Sequence, residues 1–124
     1  MNITWYNEKP KDCIVTIGNG SLTLNKPAVT FFENAYSVML GQNTDDKLIF
    51  IKPLNKQRAM MHDLPENSKY RITIRSSYGR ITNKAFLKEV VEWFNLDVIE
   101  NVLKFKAVWD PKNEILVVDL KEVV

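Results

Sequence analysis

Two stretches of this chain run through the same succession of elements, with glycine and asparagine at the same joints. In residues 70–120, Tyr70-Arg71-Ile72-Thr73-Ile74-Arg75 alternates bulky apolar with polar side chains, the period of a half-buried strand. The turn Ser76-Ser77-Tyr78-Gly79 leads into Arg80-Ile81-Thr82, and a helix is predicted over 84–95. A hairpin closes the unit: 102–109, a turn at Asp110-Pro111-Lys112-Asn113, then 115–120.

Residues 13–54 follow the same order. Cys13-Ile14-Val15-Thr16-Ile17 reads as a strand, Gly18-Asn19-Gly20 as a tight turn, and Ser21-Leu22-Thr23-Leu24 as its continuation. Asn25 can cap a helix over 26–36 that carries Pro27 in its first turn, where a missing N–H costs nothing. A hairpin of 37–41 and 47–51 follows around Asn43-Thr44-Asp45-Asp46, with Pro53 as its stop. Val15-Thr16-Ile17 matches Ile72-Thr73-Ile74, and Gly20-Ser21-Leu22-Thr23 matches Gly79-Arg80-Ile81-Thr82, at a separation of roughly 57 to 59 residues. Asn25-Lys26 precedes Ala28 much as Asn83-Lys84 precedes Ala85.

A chain of 124 residues is one domain, or two very small ones that must share a core. The expectation is therefore one mainly β domain with two short helices, an α+β chain spanning 1–124. Within it, 13–54 is the first repeat, 55–69 a connector and 70–120 the second repeat. The connector, with Lys56, Arg58, Met60, Met61, His62 and Asp63, shows no sustained period and has room for one helical turn over 57–62. Ahead of the first strand, residues 1–12 are mostly polar, with two aromatics, Trp5 and Tyr6, and end in Glu8-Lys9-Pro10-Lys11-Asp12. They read as a lead-in whose Trp5 docks on the body.

Several functions fit poorly. The single cysteine, Cys13, rules out an intrachain disulfide and suits a reducing, cytoplasmic setting. No apolar run approaches the roughly 18 residues that span a bilayer, and the leading residues do not resemble a signal peptide, so no membrane partner is expected. Met60-Met61-His62 has no companion ligands at metal spacing, and neither a metal nor a cofactor is expected. The one histidine lies far in sequence from Cys13, Gly18-Asn19-Gly20-Ser21 lacks the lysine of a phosphate loop, and Asp45-Asp46 is a solvated turn. No catalytic residue is assigned and the chain does not read as an enzyme.

Gly79-Arg80-Ile81-Thr82, a short helix, Asn95-Leu96-Asp97 and a closing hairpin resemble the AbrB-type swapped-hairpin barrel family. Two tandem copies in one chain resemble the MraZ-like proteins. The resemblance implies a pseudo-two-fold barrel in which two strand-loop-helix-hairpin repeats interlace, and a DNA-binding role in transcription regulation. Thr82-Asn83 stands where the family has an Ile-Pro step, and Ser21 replaces the arginine in the first repeat, so the DNA-binding face is expected in the second repeat.

The residues give that face independent support. Arg71, Thr73 and Arg75 share one side of their strand, opposite Ile72 and Ile74. Arg80, Lys84 and Lys88 follow, with no Asp or Glu anywhere in residues 70–88. Guanidinium groups on an exposed strand suit phosphate and bidentate base contacts. The net charge is only +2, so any such surface is local, and long basic side chains also cover apolar surface on ordinary sheet faces. On the predicted helix Phe86, Leu87, Val90, Val91 and Phe94 form a core-facing stripe, Trp93 sits at its edge, and Trp109 caps one end of the barrel. Two readings result: a regulator binding double-stranded DNA through Arg71, Arg75, Arg80, Lys84 and Lys88, or a protein-interaction or scaffold module using an exposed Trp5 or Trp93. In the second case the partner is another protein or a further copy of the chain.

Overall fold

The computed structural model describes residues 1–6, 11–18, 20–97 and 102–124. Glu8, Lys9 and Pro10 of the lead-in and Asn19 of the first turn lie outside the described residues. Eight antiparallel strands form one sheet curled into a half-barrel, with three short helices. The elements are β1 (Cys13–Ile17), β2 (Ser21–Asn25), α1 (Lys26–Val29), β3 (Ser37–Asn43), β4 (Leu48–Leu54), α2 (Lys56–Ala59), β5 (Thr73–Ile74), β6 (Tyr78–Thr82), α3 (Lys84–Phe94), β7 (Leu103–Asp110) and β8 (Ile115–Val123).

The strand order is β3-β4-β8-β7-β1-β2-β6-β5. Three ladders join the first half of the chain to the second: β1 with β7, β2 with β6, and β4 with β8. The free ends of the sheet meet at one point, where Val38 and Tyr70 exchange both backbone hydrogen bonds at 2.9 Å. Alternation along each strand sends Val15, Ile17, Leu22, Leu24, Ile81 and Phe105 inward to a core in which each is at most 1% exposed.

Asparagine caps both helices that close the curl. The Asn25 side chain accepts from Ala28 N–H at 3.2 Å and from Ile14 N–H at 3.0 Å, so it starts α1 and fixes the entry to β1 together. Asn83 accepts from Phe86 N–H at 3.0 Å at the start of α3. Asn95, in the left-handed conformation, ends that helix. Leu87 and Val90 are buried beneath α3, and Phe86, Val91 and Phe94 are half-buried against the same core, so the stripe is correct with its centre at Leu87 and Val90. At the other end Trp109 stacks on Phe31 at 4.6 Å and meets Phe32 edge-on, closing the barrel there as expected.

Five local expectations are corrected. Helix 26–36 stops at Val29 and continues only as a 3-10 turn over Thr30–Phe32, because β-branched Val29 and Thr30 hold helix poorly and the Thr30 hydroxyl donates to Pro27 C=O instead. Pro53 does not stop β4: it pairs with Val38, whose own N–H and C=O face Tyr70, and it lies past the Leu48–Ile51 stretch that β8 covers. The strand 70–75 is split, since Tyr70 pairs with β3 while only Thr73 and Ile74 pair with β6. Trp5 does not dock, being 78% exposed. In the connector, α2 and a second 3-10 turn over Glu66–Ser68 replace the single predicted turn.

Candidate functional site

The outward side of the sheet carries a polar row that no contiguous stretch of sequence displays. Thr73 is the register partner of Arg80, Arg80 of Thr23, Thr23 of Thr16, and Thr16 of Lys104. Cross-strand partners lie on the same face, so the row Thr73-Arg80-Thr23-Thr16-Lys104 crosses β5, β6, β2, β1 and β7 in one line. Neighbouring strands stand about 4.8 Å apart, which makes the row roughly 19 Å long.

Arg71 and Arg75 are both exposed and, with Thr73, share the outward side of their segment. Arg75 N–H donates to Tyr78 C=O at 2.8 Å, closing the turn that returns the chain to β6. Arg80 lies with its guanidinium carbon 5.6 Å from the centre of the Tyr78 ring, a cation–π contact that holds a long side chain flat on the face. Three of the five predicted cations are thus grouped around Thr73. Lys84 and Lys88 are exposed on α3, which covers the end of the barrel beyond Thr82. The stem of Lys84 lies against the turn at Gly20, whose positive φ of 96° and near contact (a Cβ there would sit 3.2 Å from Lys84 Cγ) both favour glycine. The two lysines flank the row and do not extend it.

Lys104 and Lys106 belong to the face and were not among the expected residues. Their signal is the alternation Leu103-Lys104-Phe105-Lys106-Ala107, legible only once β7 is known to lie beside β1. Lys106 is 3.9 Å from the Asp12 carboxylate, both well exposed, a pairing worth little in solvent. Arg71, Arg75, Arg80, Lys84, Lys88 and Lys104 make no ion pair with another described residue. The face therefore presents uncompensated positive charge together with threonine hydroxyls.

Other chemistry is sparse. Burial pushes the Cys13 thiol up, and the neighbouring Asp12 charge adds to this, so the sulfur stays protonated and is a poor nucleophile. Met60, Met61 and His62 are exposed in the connector. Among the described residues no three His, Cys, Asp or Glu side chains cluster as a metal would require, and no helix is long and apolar enough to cross a membrane. A hollow of about 310 Å³ opens between β3 and α3, lined by Leu40, Gln42, Tyr70, Phe86, Glu89 and Trp93 among others. The chain matches no family model, no curated protein and no solved structure.

Proposed function

We propose that this chain is a swapped-hairpin barrel of two like halves, and that it binds double-stranded DNA through its outer basic face as a transcriptional regulator of the AbrB-like type. The internal kinship is supported by the hairpin turns. Asn43 accepts from Asp46 N–H and Asp110 from Asn113 N–H, and Lys47 and Glu114 then both take a φ of 55° before the return strand. It is supported again by the pairing, in which β2 lies against β6 and β4 against β8, each element beside its own counterpart. The Val38–Tyr70 bridge corresponds to the β7–β1 ladder on the opposite side.

The observation that carries the binding proposal is the group of unpaired cations Arg71, Arg75 and Arg80 around Thr73, continued by a hydroxyl row to Lys104. Phosphate oxygens along a DNA backbone accept from guanidinium and hydroxyl donors alike, and an arginine in the middle of a strand has the reach for a guanine edge. Titration of mixed duplexes at low salt tests this. Affinity is expected to fall with salt at a slope of about −3 to −4, the value for three to four phosphate contacts. Arg80→Ala weakens binding more than Lys88→Ala, because Arg80 lies within the row and Lys88 lies outside it. Absence of binding at about 50 mM salt, where screening is weak, or binding that survives loss of all three arginines, refutes the assignment. The alternative, a protein-interaction module, is favoured by the exposure of Trp5, Tyr6 and Trp93, and it becomes the better reading if DNA is not bound.

A further inference from the structure

The two outer edges of the hairpins are covered unequally. The free edge of β7 is paired with β1 over five residues, from Cys13 opposite Ala107 to Ile17 opposite Leu103. The free edge of β3 is paired with Tyr70 alone. Because Val38 turns its N–H and C=O toward Tyr70, period-two alternation turns those of Leu40 and Gln42 the same way, away from β4. Among the described residues no strand covers them, since the chain before Tyr70 leaves in the 3-10 turn Glu66–Ser68. The hollow beside this edge has apolar Phe86, Tyr70 and Trp93 in its wall. An edge offering two donors and two acceptors beside a hollow with an aromatic wall suits an extended strand that drops an apolar side chain inward.

The same chain carries such a segment without a place to lie. Residues 1–6 have no regular structure, and Ile3, Trp5 and Tyr6 are 56%, 78% and 85% exposed. Ile3-Thr4-Trp5-Tyr6 consists of β-branched and aromatic residues that favour strands, with Ile3 and Trp5 on one side. In the structure the arm does not lie in its own notch: none of residues 1–6 lines the hollow. It leaves from Asp12, held by Asn25 at the α1 end, whereas the notch lies at the α3 end, four strands from β1 in the sheet. Four strand spacings are roughly 19 Å of lateral path, to which the offset from one end of the sheet to the other is added. The chain from Trp5 to Asp12 spans at most roughly 25 Å when fully extended.

We propose that the open edge of β3 receives the leading arm of a second copy of this chain, with Trp5 seated against Phe86 and Trp93. Reciprocal exchange of two arms gives a closed two-fold dimer in which each barrel gains a short ninth strand. Burial of the aromatic arm supplies the binding energy, and the edge hydrogen bonds set its register.

Sedimentation velocity and light scattering on the full chain over a range of concentrations test the exchange. The protein is expected to dimerise with concentration. Trp5→Ala and Gln42→Pro should each weaken the dimer by about tenfold or more, a loss of about 1.4 kcal/mol. Proline at position 42 removes an N–H that faces the notch and leaves the β3–β4 ladder intact, so it blocks pairing while the barrel still folds. Gln42→Ala, which keeps that N–H, should dimerise within about threefold of the parent. Circular dichroism melts establish that the variants are folded, and Trp5→Ala decides alone if Gln42→Pro is not. A chain that stays monomeric to about 0.5 mM, or a dimer indifferent to Trp5→Ala, overturns the proposal.

Discussion

Replacing Gly79 with alanine sets two effects of similar size against each other. Gly79 is buried in β6 between Leu24 and Ile74, and a Cβ added there would lie 2.8 Å from Val29 Cγ2. Ordinary carbon contacts are about 3.5 to 4.0 Å, so one of the two groups must move by about 0.7 Å or more. Val29 has little freedom to yield: it is 4% exposed, stiff at χ1, and part of a four-residue helix pinned by the Asn25 cap. Overpacking of this kind costs about 1 to 3 kcal/mol. Removing a glycine from a strand returns about 0.5 to 1 kcal/mol through the unfolded chain. The net expectation for Gly79→Ala is a loss of about 1 to 2 kcal/mol, read as a Tm lower by about 4 to 8 °C. Val29→Ala alone should cost about 1.5 to 2.5 kcal/mol in lost burial and cavity. In the double variant the new methyl occupies the space the valine vacates, so the two losses should fall short of their sum by about 1 kcal/mol. Urea denaturation of the four proteins measures this cycle. If Gly79→Ala is as stable as the parent, or if the losses simply add, close packing of α1 on β6 is not what requires glycine there.

Three further outcomes are expected. Residues 1–54 and 69–124, expressed separately, should show no cooperative melt at low concentration, because β1, β2 and β4 each take a partner from the other piece; two independent melts would contradict the interleaving. Leu87→Ala should cost about 2 to 4 kcal/mol, Phe94→Ala less than a fully buried phenylalanine would, and Lys88→Ala about 0.5 kcal/mol or less, and equal losses at Lys88 and Leu87 would mean the buried face is misassigned. The Asp110 carboxyl is held below the usual carboxylate range, chiefly by the hydrogen bond from the Asn113 side chain and then by Asn113 and Lys112 N–H groups. A depressed folded pKa gives stability that is present above about pH 4 and is lost as pH falls through the lower folded value. Asp110→Ala should therefore destabilise at neutral pH, with the gap to the parent closing in acid melts below about pH 4. A gap that does not change across that range would discount the turn network.

Elements governed by local chemistry were legible in the sequence. β1 has the bounds predicted from its alternation, and Asn25 and Asn83 cap helices as their positions before Lys26 and Lys84 suggest. Features decided by pairing were not. Pro53 looks like a terminator until Val38 is known to turn away from it toward Tyr70. The split of 70–75 between two different partners leaves no trace in a perfectly alternating stretch. The basic face was half legible: Arg71, Arg75 and Arg80 are near one another in sequence, but Lys104 joins them only through Thr16 and Thr23, and the register that brings them together is a property of the whole sheet. Trp5 was expected to dock because aromatic residues usually do, and the structure leaves it 78% exposed.

The interleaved ladders also govern how the chain is made. As the ribosome delivers it, β1 and β4 emerge long before β7 and β8, the strands that will cover them. At about 5 to 20 residues per second, the interval between Ile49 and its partner Val118 is roughly 3 to 14 s. During that time the β3–β4 hairpin, which can form within microseconds, presents an apolar face and an unpaired edge to the surrounding solvent or to any other nascent copy. Folding must then wait on loop closures spanning most of the chain, and such non-local pairing is expected to slow it relative to a chain of the same size built on local contacts. The same hairpin on a neighbouring nascent chain offers an equivalent partner, so early exchange between chains made on one message is the misassembly this topology invites.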